Sequence, residues 1–403
     1  MRKLLLAVAL AGSCSVAQAV EWHFDGYADF RMILPSNEQS WVDGGLGKLR
    51  YGTNQESPDF RLAEVIGQAV VLFTPELMFM GVARYEPKQE APIDIIDAFV
   101  RYRPVSTNAF RWSIKAGIFF PPISLENTEI GWTSPWTLTP SAINAWVGEE
   151  LKTIGLEPML EYRQERRTIS AYAAVYGWND PTGILLADRG WAIHDRITAL
   201  GDKPRLPDAY ARARRRAIPY YTEEFIEVDG RAGWYAGAAW DEADIGRLDF
   251  MFYNNEGDPR AVGKQTPWRT RFWNVGLRTN IGPVTLLAQG MAGETFFWPS
   301  ATFFSETNFE SAYLLAGWNV SESWRIAGRA EWFQTAEYNP RGNFMSEHGS
   351  GLTFAVNYLP NDWLRITGEY LRVKSTRTYR TLVPDSAKAD ENQFQISARF
   401  YVP

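Results

Sequence analysis

Apolar and polar side chains alternate with period two along most of this chain, in runs of about ten residues. The stretch from Glu21 to Met32 sets the pattern. Trp22, Phe24, Gly26, Ala28, Phe30 and Met32 fall on one side, and His23, Asp25, Tyr27, Asp29 and Arg31 on the other. Successive side chains of a strand point to opposite faces, so each run predicts a strand with one greasy and one polar face. Sixteen such runs occur, at 22–33, 61–74, 77–86, 93–103, 109–119, 151–163, 167–178, 231–240, 245–254, 271–281, 283–294, 308–318, 323–335, 350–359, 362–374 and 391–402. Their length is that of a tilted strand crossing a bilayer.

The connections alternate in length. Pro75-Glu76, Pro104 to Asn108, Gln164 to Arg166, Asp241 to Asp244, Gly282-Pro283, Asn319 to Glu322 and Pro360-Asn361 are short and rich in turn residues. The intervening connections are mostly long, with Pro87 to Pro92 the exception. An even number of antiparallel strands, with tight turns at one end and long loops at the other, predicts an all-β, up-and-down transmembrane barrel of about sixteen strands. The faces agree. Ile154, Leu156, Pro158, Leu160 and Tyr162 would face lipid, with Thr153, Gly155, Glu157, Met159, Glu161 and Arg163 inside. Trp324, Ile326, Gly328, Ala330 and Trp332 oppose Arg325, Ala327, Arg329, Glu331 and Phe333 in the same way. Neither propeller nor solenoid repeats are visible.

Composition sharpens the picture. Aromatic residues make up 14% of the 403 residues, with 17 Trp and 18 Tyr, which suits aromatic girdles at two wet interfaces. Arg2 and Lys3, the apolar stretch Leu4 to Gly12 and Ala17-Gln18-Ala19 occur in the order of a secretory leader. Residues 1–19 are therefore expected to be a cleaved signal peptide, and 20–403 the barrel. The single cysteine, Cys14, lies in this leader; lipidation there is the alternative to cleavage after Ala19. Without Arg2 and Lys3, 39 basic residues face 47 acidic ones, a net charge of −8, which argues against nucleic acid as a partner.

The mature sequence resembles the Gram-negative outer-membrane porins. The resemblance rests on the leader, the strand count, the loop alternation and the closing Gln393-Phe394-Gln395-Ile396-Ser397-Ala398-Arg399-Phe400-Tyr401. The chain departs from the porin pattern of a terminal aromatic residue by ending Tyr401-Val402-Pro403. The phosphate-selective porin O/P-like branch is one placement within this group. The resemblance implies a homotrimer in the outer membrane, in contact with its lipid, that passes small hydrophilic solutes or ions by diffusion. It implies no enzyme activity and no cofactor. An outer-membrane barrel enzyme and a barrel plugged by its own loops stay open as other readings.

By the same resemblance the third long loop, 121–150, would fold inward as a constriction. Glu126 and Glu129 would then line one wall of the eyelet, and Trp132 and Trp136 would wedge the loop against the barrel. Basic residues are many on the predicted lumen face: Arg31, Arg101, Arg103, Arg111, Lys115, Arg163, Arg247, Arg278, Arg325, Arg329, Arg365 and Arg399. Arginines facing glutamates across water would bias which ions pass. Glu64, Asp97, Glu157, Glu161, Glu331 and Glu369 share that face, and full neutralisation is the competing outcome. The long loop 179–230 carries Arg205, Arg212, Arg214, Arg215 and Arg216, read as an anion funnel, a contact for lipid phosphates or a solvated face. His23, His194 and His348 lack metal-ligand spacing, and Gly44 to Arg50 lacks the spacing of a phosphate loop. No metal or catalytic residue is expected.

Overall fold

A computed structural model describes residues 20–53, 57–208, 220–340, 342, 345–382 and 386–402. The expected leader, with Cys14, and Arg212, Arg214, Arg215 and Arg216 lie outside the described residues. Sixteen strands form one closed antiparallel barrel, each paired with its chain neighbours, and the first with the last. They are β1 (Glu21–Leu34), β2 (Asp59–Leu72), β3 (Leu77–Tyr85), β4 (Ile93–Tyr102), β5 (Phe110–Phe119), β6 (Thr153–Arg163), β7 (Arg167–Gly177) and β8 (Gly233–Glu242). There follow β9 (Gly246–Asn254), β10 (Arg269–Ile281), β11 (Val284–Ser300), β12 (Phe303–Asn319), β13 (Trp324–Tyr338), β14 (Glu347–Asn361), β15 (Leu364–Arg377) and β16 (Lys388–Val402). Closure satisfies the edge hydrogen bonds that an open sheet would leave bare in lipid. Ala28 lies opposite Phe400, and Phe30 opposite Ala398, where β1 meets β16.

The alternation sorts the faces. Trp22, Phe24 and Phe30 stand 59%, 62% and 50% exposed on the outside, while Asp29 and Arg31 are buried inside. Aromatic pairs ring the turn end of the barrel: Tyr102 with Trp112, Phe110 with Tyr162, and Trp324 with Tyr358, the last at 4.6 Å between centroids. No helix among the described residues is long and apolar enough to cross a membrane; the strands are the elements with an apolar outer face.

Two departures from the sequence pattern matter. First, 295–307 reads as a loop, yet β11 and β12 run through it as a tall hairpin, with Ser300 opposite Phe303. Consecutive aromatic residues here obscure the alternation. Tertiary contacts decide it: Thr270 and Thr295 share a hydroxyl hydrogen bond of 2.7 Å, and Phe297 packs on buried Trp268. Second, the barrel interior is not uniformly wet. Toward the loop end, Tyr176, Tyr235, Tyr253, Phe272, Phe309 and Phe333 point inward and are buried, because loops fold down onto them.

Candidate functional site: the lumen and its inserted loops

The third long connection, 120–152, folds into the barrel. Its helix α1 (Ala142–Glu150) is buried at every residue. A helix brings unpaired N–H groups to its N-terminus, and burying them without acceptors is costly. Here carboxylates supply the acceptors. Ser141 caps the helix and accepts from the Asn144 N–H. Glu126 accepts from the Ser141 N–H and the Asn144 side chain, both at 2.7 Å. Glu331 on β13 accepts from the Ala142 N–H at 2.7 Å, and Glu369 on β15 from the Leu138 N–H at 2.6 Å. Arg329 completes the grip, donating to the carbonyls of Thr139 (2.8 Å) and Pro140 (3.0 Å).

Glu126 therefore sits fully buried within the fold of the loop, facing Arg329 at 3.4 Å rather than open water. Glu129 is the loop carboxylate that meets the cavity, paired to Arg365 at 2.5 Å. Trp136 is buried against Gly317, where an added Cβ would approach its ring to 2.4 Å, so only glycine admits it. Trp132 adopts a left-handed φ of 60° and stacks on Phe120 at 4.5 Å. That conformation is uncommon for a bulky side chain.

Of the next long connection, residues 178–208 also enter the barrel. Trp191 meets Trp146 of α1 at 5.9 Å, and Phe309 lies within 5.2 Å of Trp146. Glu149 anchors this contact through Arg189 at 2.5 Å and His194 at 3.1 Å. Burial alone would raise the Glu149 carboxyl, but Arg189 and His194 pull it down to about 2. Glu150 accepts from the Leu185 N–H at 2.9 Å and the Gly183 N–H at 3.2 Å. Burial pushes its carboxyl up to about 8.

Four arginines and four carboxylates form one buried network that ties 35–53 and 178–208 to the wall. Arg31 bridges Asp29 (2.8 Å) and Asp195 (2.5 Å), and Arg50 bridges Asp195 (2.7 Å) and Glu86 (2.5 Å). Arg84 bridges Glu64 (2.7 Å) and Glu86 (3.2 Å), and Arg399 meets Asp29 at 2.9 Å. Burial disfavours the charge on Asp195, yet Arg31 and Arg50 hold its carboxyl well below the usual range. Sequence reasoning missed Arg50, Arg84 and Asp195. Arg84 was legible as an alternating residue of β3; Arg50 and Asp195 lie in loops, where period two says nothing.

The basic residues singled out from the sequence thus divide. Arg31, Arg329, Arg365 and Arg399 are buried mid-barrel against carboxylates or loop carbonyls. Arg101, Arg111, Arg163, Arg247, Arg278 and Arg325 face a partly solvated vestibule at the turn end. Arg163 pairs with Glu161 (2.8 Å), Arg247 with Asp249 (2.6 Å) and Arg278 with Asp241 (3.2 Å). Arg101, Arg111 and Arg325 make no ion pair among the described residues, and Arg101 contacts the Met78 sulfur at 2.8 Å. Lys115 lies deeper, between Glu157 (2.9 Å) and the Phe119 ring (4.0 Å). Arg103 falls just past β4, exposed in the turn, with its N–H donating to the Glu76 carbonyl. Arg205 pairs with Asp208 at 2.9 Å.

Two cavities lie beside the inserted loop. One, of about 390 Å³, is lined by Tyr27, Gln68, Glu129, Thr133, Arg365 and Tyr401. The next, of about 160 Å³, shares Gln68, Thr128 and Glu129 with it and adds Asp97, Asn127 and Trp132. The first lies between 128–133 and β1, β2, β15 and β16, the second between 127–132 and β2–β4. His23, His194 and His348 are dispersed: His194 is buried on Glu149, and the other two lie on strands, exposed. The one group of three acidic residues with metal-compatible spacing among the described residues is Asp180, Glu227 and Asp229.

No family model matches the chain, and no curated protein matches it. Solved structures do. The outer-membrane channel DcaP of Acinetobacter baumannii is 10% identical, with 98% of this chain and 100% of that one covered, at a TM-score of 0.52. An anion-selective porin from Comamonas acidovorans is 8% identical, with 95% and 100% covered and a TM-score of 0.52. The trimer form of OmpT from Vibrio cholerae is 11% identical, with 96% and 100% covered and a TM-score of 0.50. At such identities the likeness concerns architecture: the chain has the closed sixteen-stranded antiparallel barrel fold of these porins.

Proposed function

We propose that this protein is an outer-membrane channel through which small hydrophilic solutes diffuse passively, with a preference for anions. The observation that carries the reading is the pair of cavities between the inserted loop and the barrel wall, where Gln68, Thr128 and Glu129 are common to both. At the turn end, six arginines share a vestibule with Asp25, Glu161, Asp241 and Asp249. That surplus of positive charge attracts anions into the approach to the narrow part. No bond-making step belongs to this activity. The solved barrels of the same fold include one described as an anion-selective porin and one as an outer-membrane channel, which supports the reading by analogy.

Self-association is part of the proposal. On the outer face of β1–β4, small residues (Gly26, Ala28, Gly67, Ala69, Gly81 and Ala83) form an apolar trough of about 700 Å³, flanked by Phe24, Phe79 and Phe400. Such a surface suits close packing against a second barrel.

Single-channel recording of the refolded protein in a planar bilayer under a salt gradient tests the function. An open, ohmic, anion-preferring pore is the expected result. Cation preference would remove the anion reading and leave the channel. A folded barrel that never conducts would favour a second reading, a plugged barrel. The specific observation on that side is the burial of α1, Trp191 and Trp41 inside the loop-end half.

A further inference from the structure

We infer that the outward surface of β14–β16 at the loop end binds the phosphorylated headgroup of an outer-leaflet lipid. The inference rests on the barrel spanning the outer membrane, and goes beyond the channel to a specific lipid contact.

The strand register builds the surface in rows. Trp332, Ser350, Lys374 and Asp390 lie side by side on adjacent strands, all facing out. One step toward the loops, His348, Thr376 and Lys388 form the next row. One step toward the turns come Leu352, Arg372 and Asn392, then Phe354, Tyr370 and Phe394. The outer face thus changes from apolar to basic within two rows, where hydrocarbon gives way to headgroups. A depression of about 530 Å³ lies at this boundary, lined by Trp332, His348, Lys374, Thr376, Lys388 and Asp390 among others.

Charge selects the occupant. Asp390 is the one carboxylate in the depression, and Arg372 already holds it through two hydrogen bonds of 2.8 and 3.0 Å. Lys374 stands 3.9 Å from the same carboxylate and 59% exposed, and Lys388 meets no carboxylate among the described residues. Two ammonium groups therefore face the membrane surface with little compensation, beside the hydroxyls of Ser350 and Thr376. A phosphate monoester offers the complementary charge and acceptors. Its acyl chains would run down over Leu352 and Phe354. The adjoining wall differs: beyond β13, Glu294, Glu306 and Glu310 face outward on β11 and β12 at the loop end, with Arg271 pairing Glu294 at 2.6 Å. The basic surface is therefore local, as a lipid site requires, rather than a general belt.

The test uses the full folded chain in nanodiscs of phosphatidylcholine doped with phosphatidic acid, followed by native mass spectrometry of the released barrel. Retention of phosphatidic acid over phosphatidylcholine is expected. Lys374→Ser/Lys388→Ser should lose most of that enrichment, while Arg260→Ser/Lys264→Ser, with the same charge change in an exposed loop, should keep it. Equal retention in both variants would overturn the proposal. So would displacement of the lipid by millimolar inorganic phosphate, which would make this a site for the free anion. Flotation of the barrel with pure phosphatidylcholine vesicles checks membrane insertion separately. Failure there would remove the membrane reading itself.

Discussion

The mid-barrel arginines and the vestibule arginines come from the same alternation of the same strands, yet they do different work. Arg31, Arg329 and Arg399 are almost fully buried and touch carboxylates or loop carbonyls. Arg101, Arg111 and Arg325 point into the same lumen and have no ionic partner among the described residues. Arg31 and Arg329 hold loops in place, and Arg399 ties β16 to Asp29 and Glu64 of β1 and β2. The second projects uncompensated charge into water. An inward-facing arginine is thus not by itself a pore residue; the loop that does or does not come down onto it decides.

The comparison breaks most sharply under truncation. Removing Arg399 leaves Asp29 and Glu64 buried with fewer partners, and losing one member of a buried pair costs about 3–5 kcal/mol. Arg278, 40% exposed beside Asp241, should cost under about 1 kcal/mol on the same change. Denaturant unfolding of refolded Arg399→Ala and Arg278→Ala checks the difference; equal costs would dissolve the distinction.

Glu129 and Arg365 sit between the two regions, paired but facing the cavity. Each neutralisation frees the other's charge. Glu129→Gln should shift the reversal potential further toward anions, and Arg365→Gln toward cations, by several-fold in permeability ratio. Shifts of one sign in both would show that ions do not pass this pair. A smaller change is expected from Arg101→Gln/Arg111→Gln/Arg325→Gln. Anion preference should fall, more so in dilute salt, because exposed charges act over a screening length of about 10 Å at 0.1 M.

The smallest effect concerns pH and the inserted loops. The Glu150 carboxyl is raised to about 8 by burial. A group whose folded value lies above its unfolded one stabilises below the unfolded value and loses that contribution as pH rises through the folded one. The docking of 183–199 on α1 should therefore loosen as pH rises from about 4.5 to about 8 and change little above that. Hydrogen exchange at the Leu185 amide measures it, and Glu150→Gln should flatten the response.

Much of this was legible in the sequence because a barrel is a local code. Period two assigns the face of Leu156 against Glu157 without knowledge of any partner, and turn residues such as Gly282-Pro283 mark where strands reverse. The code weakened at the loop end. In 295–307 the consecutive aromatics Phe296-Phe297-Trp298 and Phe303-Phe304 break the period, so the β11–β12 hairpin appears only through its pairing and its contacts with 178–208.

What the sequence determined by itself was the sixteen staves, their outward and inward faces, and the pool of inward charges, because each follows from neighbours two residues apart. What only the tertiary structure decided was which charges remain free. Arg31 meets Asp195 across 164 residues, and Arg365 meets Glu129 across 236. Those pairings depend on how far each loop descends into the lumen. That descent is set by carboxylates on β13 and β15 accepting buried N–H groups at the start of α1 and in the segment leading to it. A buried N–H must find an acceptor somewhere in space, and sequence spacing carries no record of where.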